Sequence, residues 1–307
     1  MRTLSIRRGN FHGVAYSADG RFLVSLNSHT QVRFWELGTF TERLALKLPP
    51  AARSYWFNFW VRGERLVVGG TLWDAAPAWA HLRRPGEGRP PESLCTPIPL
   101  ERPERGVSNP LATTPDGQTL AGLALRQWGS RRSHVDVWDG QGHSRKRFDV
   151  DDVYLNGVAL SPDGRTLAVT AGRAAALIDL EGERVVAQLP HTDHPNGVLY
   201  SPDGRLLAVA AGRKVWLWDV AARKALASFP AFRRYAEAMA FSPDGRLLAA
   251  GSREGQLRLW DTTACQERAC LDWKIGAVHG LAFSPDGMTV AAAGHNNALV
   301  IWDVDEA

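Results

Sequence analysis

The chain alternates short apolar runs with tight polar turns, and the order repeats. A run such as residues 280–284 leads into Ser-Pro-Asp-Gly. A second apolar run such as residues 206–211 follows, then a polar turn, then a third run ending in Trp-Asp or a variant, then a shorter fourth. Pro presets φ in such a turn and Gly takes a conformation that other residues resist, so each tetrapeptide predicts a hairpin. The first two runs are nearly continuous in apolar residues, which predicts strands covered on both faces.

The tetrapeptide stands at Ser161-Pro162-Asp163-Gly164, Ser201-Pro202-Asp203-Gly204, Ser242-Pro243-Asp244-Gly245 and Ser284-Pro285-Asp286-Gly287, with near-copies at Ser17-Ala18-Asp19-Gly20 and Thr114-Pro115-Asp116-Gly117. From Asp116 onward the turn aspartates lie 47, 40, 41 and 42 residues apart, the spacing of a repeat protein. Asp19 and Asp116 are 97 residues apart, two periods, so one degenerate copy lies between them and the units number seven. A four-stranded sheet of this pattern has no way to bury both faces alone, whereas radial stacking covers each sheet with two neighbours. The expectation is therefore an all-β, seven-bladed propeller of antiparallel four-stranded blades, a single domain over residues 1–307. Trp302-Asp303 stands four residues before the last, which leaves blade seven without an outer strand. Residues 3–7 are expected to supply it, since an open ring would leave unpaired edges.

The third runs carry Trp35-Glu36, Trp138-Asp139, Ile178-Asp179, Trp218-Asp219, Trp260-Asp261 and Trp302-Asp303. Together with the turns, these make the chain resemble the WD-repeat β-propellers over essentially its whole length. The resemblance implies binding of a protein or peptide on the face where loops enter the first strands. It places contact residues seven positions before each turn aspartate, or before Gly63 in the degenerate copy, and two positions earlier still. The first set is His12, Trp56, Asn109, Asn156, Asn196, Glu237 and His279; the second includes Asn10, Tyr154, His194 and Tyr235. Arg253 and His295, in turns of the same face, extend the patch. Trp56, Tyr154 and Tyr235 are the expected apolar anchors, with Asn and His as directional hydrogen-bonding groups. The family's His–Asp hydrogen-bond network is expected to be missing. His191 stands at one family His position, but the turns before the third strands read His29, Arg132, Gly212, Glu254 and Asn296.

The degenerate second blade is placed at about residues 55–100, with a Pro-rich loop over 83–105. Counting from Gly63 puts Trp79-Ala80 in its third strand and Trp73 in the turn before it. Blade three carries an insertion whose Trp128, Arg131 and Arg132 form a secondary candidate patch.

Charge changes this picture little. The 307 residues carry a formal net charge of +4 with a pI near 9.1. Arg21, Arg65, Arg165, Arg205 and Arg246 follow the turns, mostly two positions after an Asp that neutralises them locally. Nucleic-acid binding through that Arg-rich face ranks behind a protein or peptide ligand. Cys95, Cys265 and Cys270 read as reduced thiols. No run approaches the ~20 apolar residues of a membrane span, and the first residues have no apolar signal-peptide core. The expectation is a cytoplasmic monomer without membrane contact. No nucleophile elbow, phosphate-binding loop or zinc-helix motif occurs, so a non-enzymatic scaffold with no cofactor and no metal is expected. His12, Glu237 and His279, on consecutive blades, are a composition that binds divalent metal; a metal-dependent propeller enzyme at the channel mouth is the alternative they carry.

Overall fold

The computed structural model describes residues 2–5, 10–28, 31–48, 59–68, 71–84, 94–101, 107–124, 133–150, 155–230, 232–233, 235–272 and 274–306. Its strands form seven four-stranded antiparallel sheets arranged as the blades of a propeller. Blade one runs Phe11–Tyr16, Phe22–Asn27, Gln31–Glu36 and Thr41–Lys47 from the inside outward. Blades three to six open on Val107–Thr113, Leu155–Leu160, Pro195–Tyr200 and Ala236–Phe241. Blade seven runs Val278–Phe283, Thr289–Gly294 and Ala298–Asp303, and Arg2–Ser5 completes it, with Thr3 opposite Val300 and Leu4 opposite Leu299. The expected ring closure by the N-terminal strand is what the structure has.

Each Ser-Pro-Asp-Gly turn is held by its own side chains. Ser161 Oγ donates to Asp163 Oδ1 at 2.6 Å and accepts from the Thr166 backbone at 2.9 Å, while Asp163 Oδ1 also accepts from the Arg165 backbone. The same three bonds recur around Ser17, Ser201 and Ser242. These bonds hold the turn aspartates below the usual carboxylate range against the opposing effect of partial burial. The turn glycine sits at φ near +70°, and in Gly204 a Cβ would come within 3.2 Å of Pro162 in the preceding blade. The motif thus shapes a turn and also fills the seam beside it.

Apolar packing closes every seam between blades. Phe22, Phe34, Leu66 and Trp73 join blades one and two; Leu72, Leu111 and Trp138 join two and three; Leu123, Val135 and Leu167 join three and four. Leu177, Val209 and Trp218 join four and five; Leu217, Phe241 and Trp260 join five and six; Leu259, Val290 and Trp302 join six and seven. Leu4, Ala291, Phe11 and Trp35 join seven to one. The outermost strand Lys224–Pro230 alternates exposed residues with half-buried or buried ones, because successive side chains of a strand point to opposite faces.

Blade two departs from the sequence expectation. Trp73-Asp74 ends its third strand, Thr71–Asp74, and Trp79 lies on a helix, Ala76–Arg83. Ten residues from Gly63 suffice because the strands shrink to four residues each, Phe59–Arg62, Arg65–Val68 and Thr71–Asp74. Pro at the first turn suits a helix start, since its missing N–H would be unpaired there anyway. The helix then turns Ala78, Trp79 and Leu82 into the seam with blade one, where Trp79 meets Phe34 edge-on at 5.1 Å. Thr96–Ile98 supplies the outer strand.

Candidate functional site

The inner strands begin at the face opposite the Ser-Pro-Asp-Gly turns, beside the links between second and third strands. At this end every inner strand except that of blade two breaks register with its neighbour. Phe11 pairs with Asn27 but Gly13 with Leu26, so His12 is the extra residue of a β-bulge. Asn196, Glu237 and His279 are the extra residues at the equivalent breaks in blades five, six and seven, and Asn156 lies within the break of blade four. A bulge re-aims a side chain that a regular pleat would turn to one side. Small residues make room directly after it. A Cβ on Gly13 would stand 2.4 Å from Phe59 Cβ, and one on Gly280 would stand 3.0 Å from Gly13 Cα. The spacing used for the sequence prediction therefore falls on bulge positions, although the bulge itself was not foreseen.

On blades six, seven and one the re-aimed side chains meet. His279 Nδ1 lies 2.9 Å from Glu237 Oε2, and His279 Nε2 lies 3.4 Å from His295 Nδ1. His295 Nε2 lies 3.2 Å from Asn10 Nδ2. The amide nitrogen can only donate, so His295 Nε2 accepts and its proton sits on Nδ1. That N–H donates to His279 Nε2, which leaves the His279 proton on Nδ1, aimed at Glu237. One assignment of tautomers thus accounts for the line from Asn10 to His279, and an ion-pair contact continues it to Glu237. Beyond Glu237, Arg253 Nε stands 3.8 Å from Oε1, and Arg253 Nη1 donates to the Tyr235 hydroxyl at 3.0 Å. The Tyr235 bond and then the Glu237 charge push the guanidinium pKa further up.

His12 lies beneath this line. It is 6% exposed, with its ring centre 5.2 Å from that of His279. Burial first, then repulsion from His279 and His295, lowers its pKa to about 4. At neutral pH it is an uncharged floor and is not an accessible contact residue.

The other predicted positions are less concentrated. His194 Nδ1 donates to the Gly172 carbonyl at 2.8 Å, and Asn196 Nδ2 donates to the Ala236 carbonyl at 2.8 Å, each tying blade five to a neighbour. Asn156 is exposed, and Asn109 lies on the inner strand of blade three. Trp56, Tyr154 and the patch Trp128, Arg131 and Arg132 lie outside the described residues.

His12, Glu237 and His279 do converge, Glu237 in ion-pair contact with His279 and the His12 ring beneath that of His279. Among the described residues no three His, Cys, Asp or Glu side chains are arranged to hold a metal ion. None of the described helices is long and apolar enough to cross a membrane. His191 packs edge-on against Trp216 and Trp218, ring centres 5.5 Å apart in each case, and burial lowers its pKa to about 4. Elsewhere Trp35 Nε1 donates to Ser25 Oγ at 2.9 Å and Trp138 Nε1 to the Glu101 carbonyl at 2.7 Å.

Comparison with protein families finds the WD domain, G-beta repeat at residues 183–219, 226–261 and 271–303, which fall on blades four to seven. Comparison with curated proteins gave no match.

Proposed function

From seven blades consistent with a WD-repeat family, we propose that the chain is a non-enzymatic scaffold, holding a protein or peptide segment against the mouth formed by blades six, seven and one. The family's propellers are typically protein-interaction scaffolds. The observation that carries the reading is the line of bulge and turn residues running from Asn10 to Tyr235. Its members hold one another through hydrogen bonds and ion pairs, so it resists rearrangement and presents a fixed set of groups. Its ends are open. Tyr235 is 36% exposed, and the Arg253 side chain is 56% exposed. A flat aromatic ring beside a guanidinium is a composition enriched among residues that dominate binding energy.

Selection from a displayed peptide library, followed by binding to purified variants, tests this. Tyr235→Ala and His279→Ala are expected to weaken the selected peptides by about tenfold or more each, with thermal unfolding preserved. Arg205→Ala and Met288→Ala, on the opposite face, are expected to leave binding unchanged. Peptides that depend on Arg205 and Met288 and ignore Tyr235 and His279 would overturn the assignment.

A further inference from the structure

The turns between second and third strands carry an arginine in three consecutive blades. Arg173, Arg213 and Arg253 are each forty residues from the next. Arg173 follows Gly172, at φ +56°, between Thr166–Ala171 and Ala174–Asp179 of blade four. Arg213 follows Gly212, at φ +57°, between Leu206–Ala211 and Lys214–Asp219 of blade five. Arg253 opens the matching turn of blade six, after Leu247–Ser252.

The backbone of these turns is tied down. The Arg173 carbonyl accepts from the His191 backbone at 2.8 Å and the Arg213 carbonyl from the Phe232 backbone at 3.4 Å, while the Gly172 carbonyl takes the His194 ring. The Arg173 and Arg213 side chains are not, and among the described residues Arg253 is held only by Tyr235 and Glu237 at the mouth. Arg173, Arg213 and Arg253 are exposed, as are Lys214 and Arg233 beside them. None of the ion pairs among the described residues involves Arg173, Arg213 or Lys214, in contrast to Arg33, Arg147 and Arg258, which pair with carboxylates of their own blades. An exposed salt bridge gains little, so charges left unmatched cost the fold little and remain available to a ligand.

Resting on the reading of the mouth as a peptide site, we infer that blades four to six form a cationic arc that takes an acidic peptide. Its carboxylates meet Arg173, Arg213 and Arg253 in turn, and Tyr235 donates its hydroxyl hydrogen to the one held by Arg253. The Arg253 Nη1 bond to the Tyr235 oxygen leaves that hydrogen free to donate, so hydroxyl and guanidinium together offer donors suited to a planar carboxylate. Exposed Asp193 lies against the Gly212 turn, and exposed Glu254 directly follows Arg253. They repel a continuous phosphodiester chain but tolerate a peptide whose carboxylates are spaced by neutral residues.

Fluorescence anisotropy with a labelled peptide of alternating Glu and Ser, its Gln-for-Glu counterpart and labelled single-stranded DNA tests the inference on the full chain. The acidic peptide is expected to bind about tenfold or more tighter than the neutral one, and to weaken as salt rises. Arg173→Gln, Arg213→Gln and Arg253→Gln together are expected to abolish the difference without shifting thermal unfolding. The same change at Arg165, Arg205 and Arg246, on the opposite face, is expected to preserve it. Equal binding of the two peptides, equal loss in both triple variants, or tighter binding of DNA would each overturn the acidic-peptide assignment. If library-selected peptides still require Tyr235 and His279 while the acidic peptide fails, the mouth remains the binding site and only the charge of its ligand is refuted.

Discussion

A buried imidazole is a liability in acid, and this chain holds at least two. His191 has a folded pKa of about 4 against 6.5 in the unfolded chain, because burial between two indoles disfavours its charge. Above pH 6.5 both states leave it neutral and it adds no pH dependence. Between pH 6.5 and 4 the unfolded chain takes up the proton first, so stability falls as pH drops, by about 3 kcal/mol at most for this group. Below the folded value the loss from His191 levels off. The turn aspartates act in a lower window, since their folded pKa values lie below the ordinary 3.8 and their contribution is lost only as pH falls past that value. Denaturant unfolding of His191→Phe at pH 7 and pH 4.5 is expected to show a smaller difference between the two than wild type does. An unchanged difference would place the acid sensitivity elsewhere. Which histidines are buried was not legible in the sequence, because His12 and His279 occupy the same repeat position and only the neighbouring ring decides which lies underneath.

At the scale of the element, the β-bulge decides how the mouth is built. It needs a following residue without bulk, and Gly13 is the tightest case because Phe59 of blade two crosses directly over it. Gly13→Ala is expected to destabilise the fold by roughly 1–3 kcal/mol, as an overpacked seam does. Gly38→Ala, with nothing within 4 Å, is expected to cost far less, and a thermal melt of both variants checks the contrast. Blades four to seven were legible almost strand by strand, since their turns carry the full tetrapeptide and their third strands a recognisable end. Blade two was misread for a physical reason. Residue counting assumes strands of constant length, and here they contract to four residues while a helix takes over the covering of the seam. The correct mark was Trp73-Asp74 itself, in the form it takes in other blades. Trp79 replaces strand packing with an indole against Phe22 and Phe34, so Trp79→Ala is expected to cost about 3–5 kcal/mol in denaturant unfolding. The forty-residue recurrence of Arg173, Arg213 and Arg253 was also present in the sequence. The arginines after the Ser-Pro-Asp-Gly turns lie on the opposite face.

For the molecule as a whole, the ring is as strong as the strand that locks it. Arg2–Ser5 contributes one edge of blade seven, and Leu4 is buried between Ala291, Leu299 and the first blade. Removing residues 1–8 is expected to lower the melting temperature and to promote self-association through the uncovered edge of Ala298–Asp303, read by light scattering against the intact chain. The pairing of Thr3 with Val300 also has a consequence in time. On a ribosome, where elongation runs at roughly 5–20 residues per second, Arg2–Ser5 has to wait, without its hydrogen-bonding mate, until Ala298–Asp303 has been made. Six sheets can mature before that pairing is possible; the seventh is completed last.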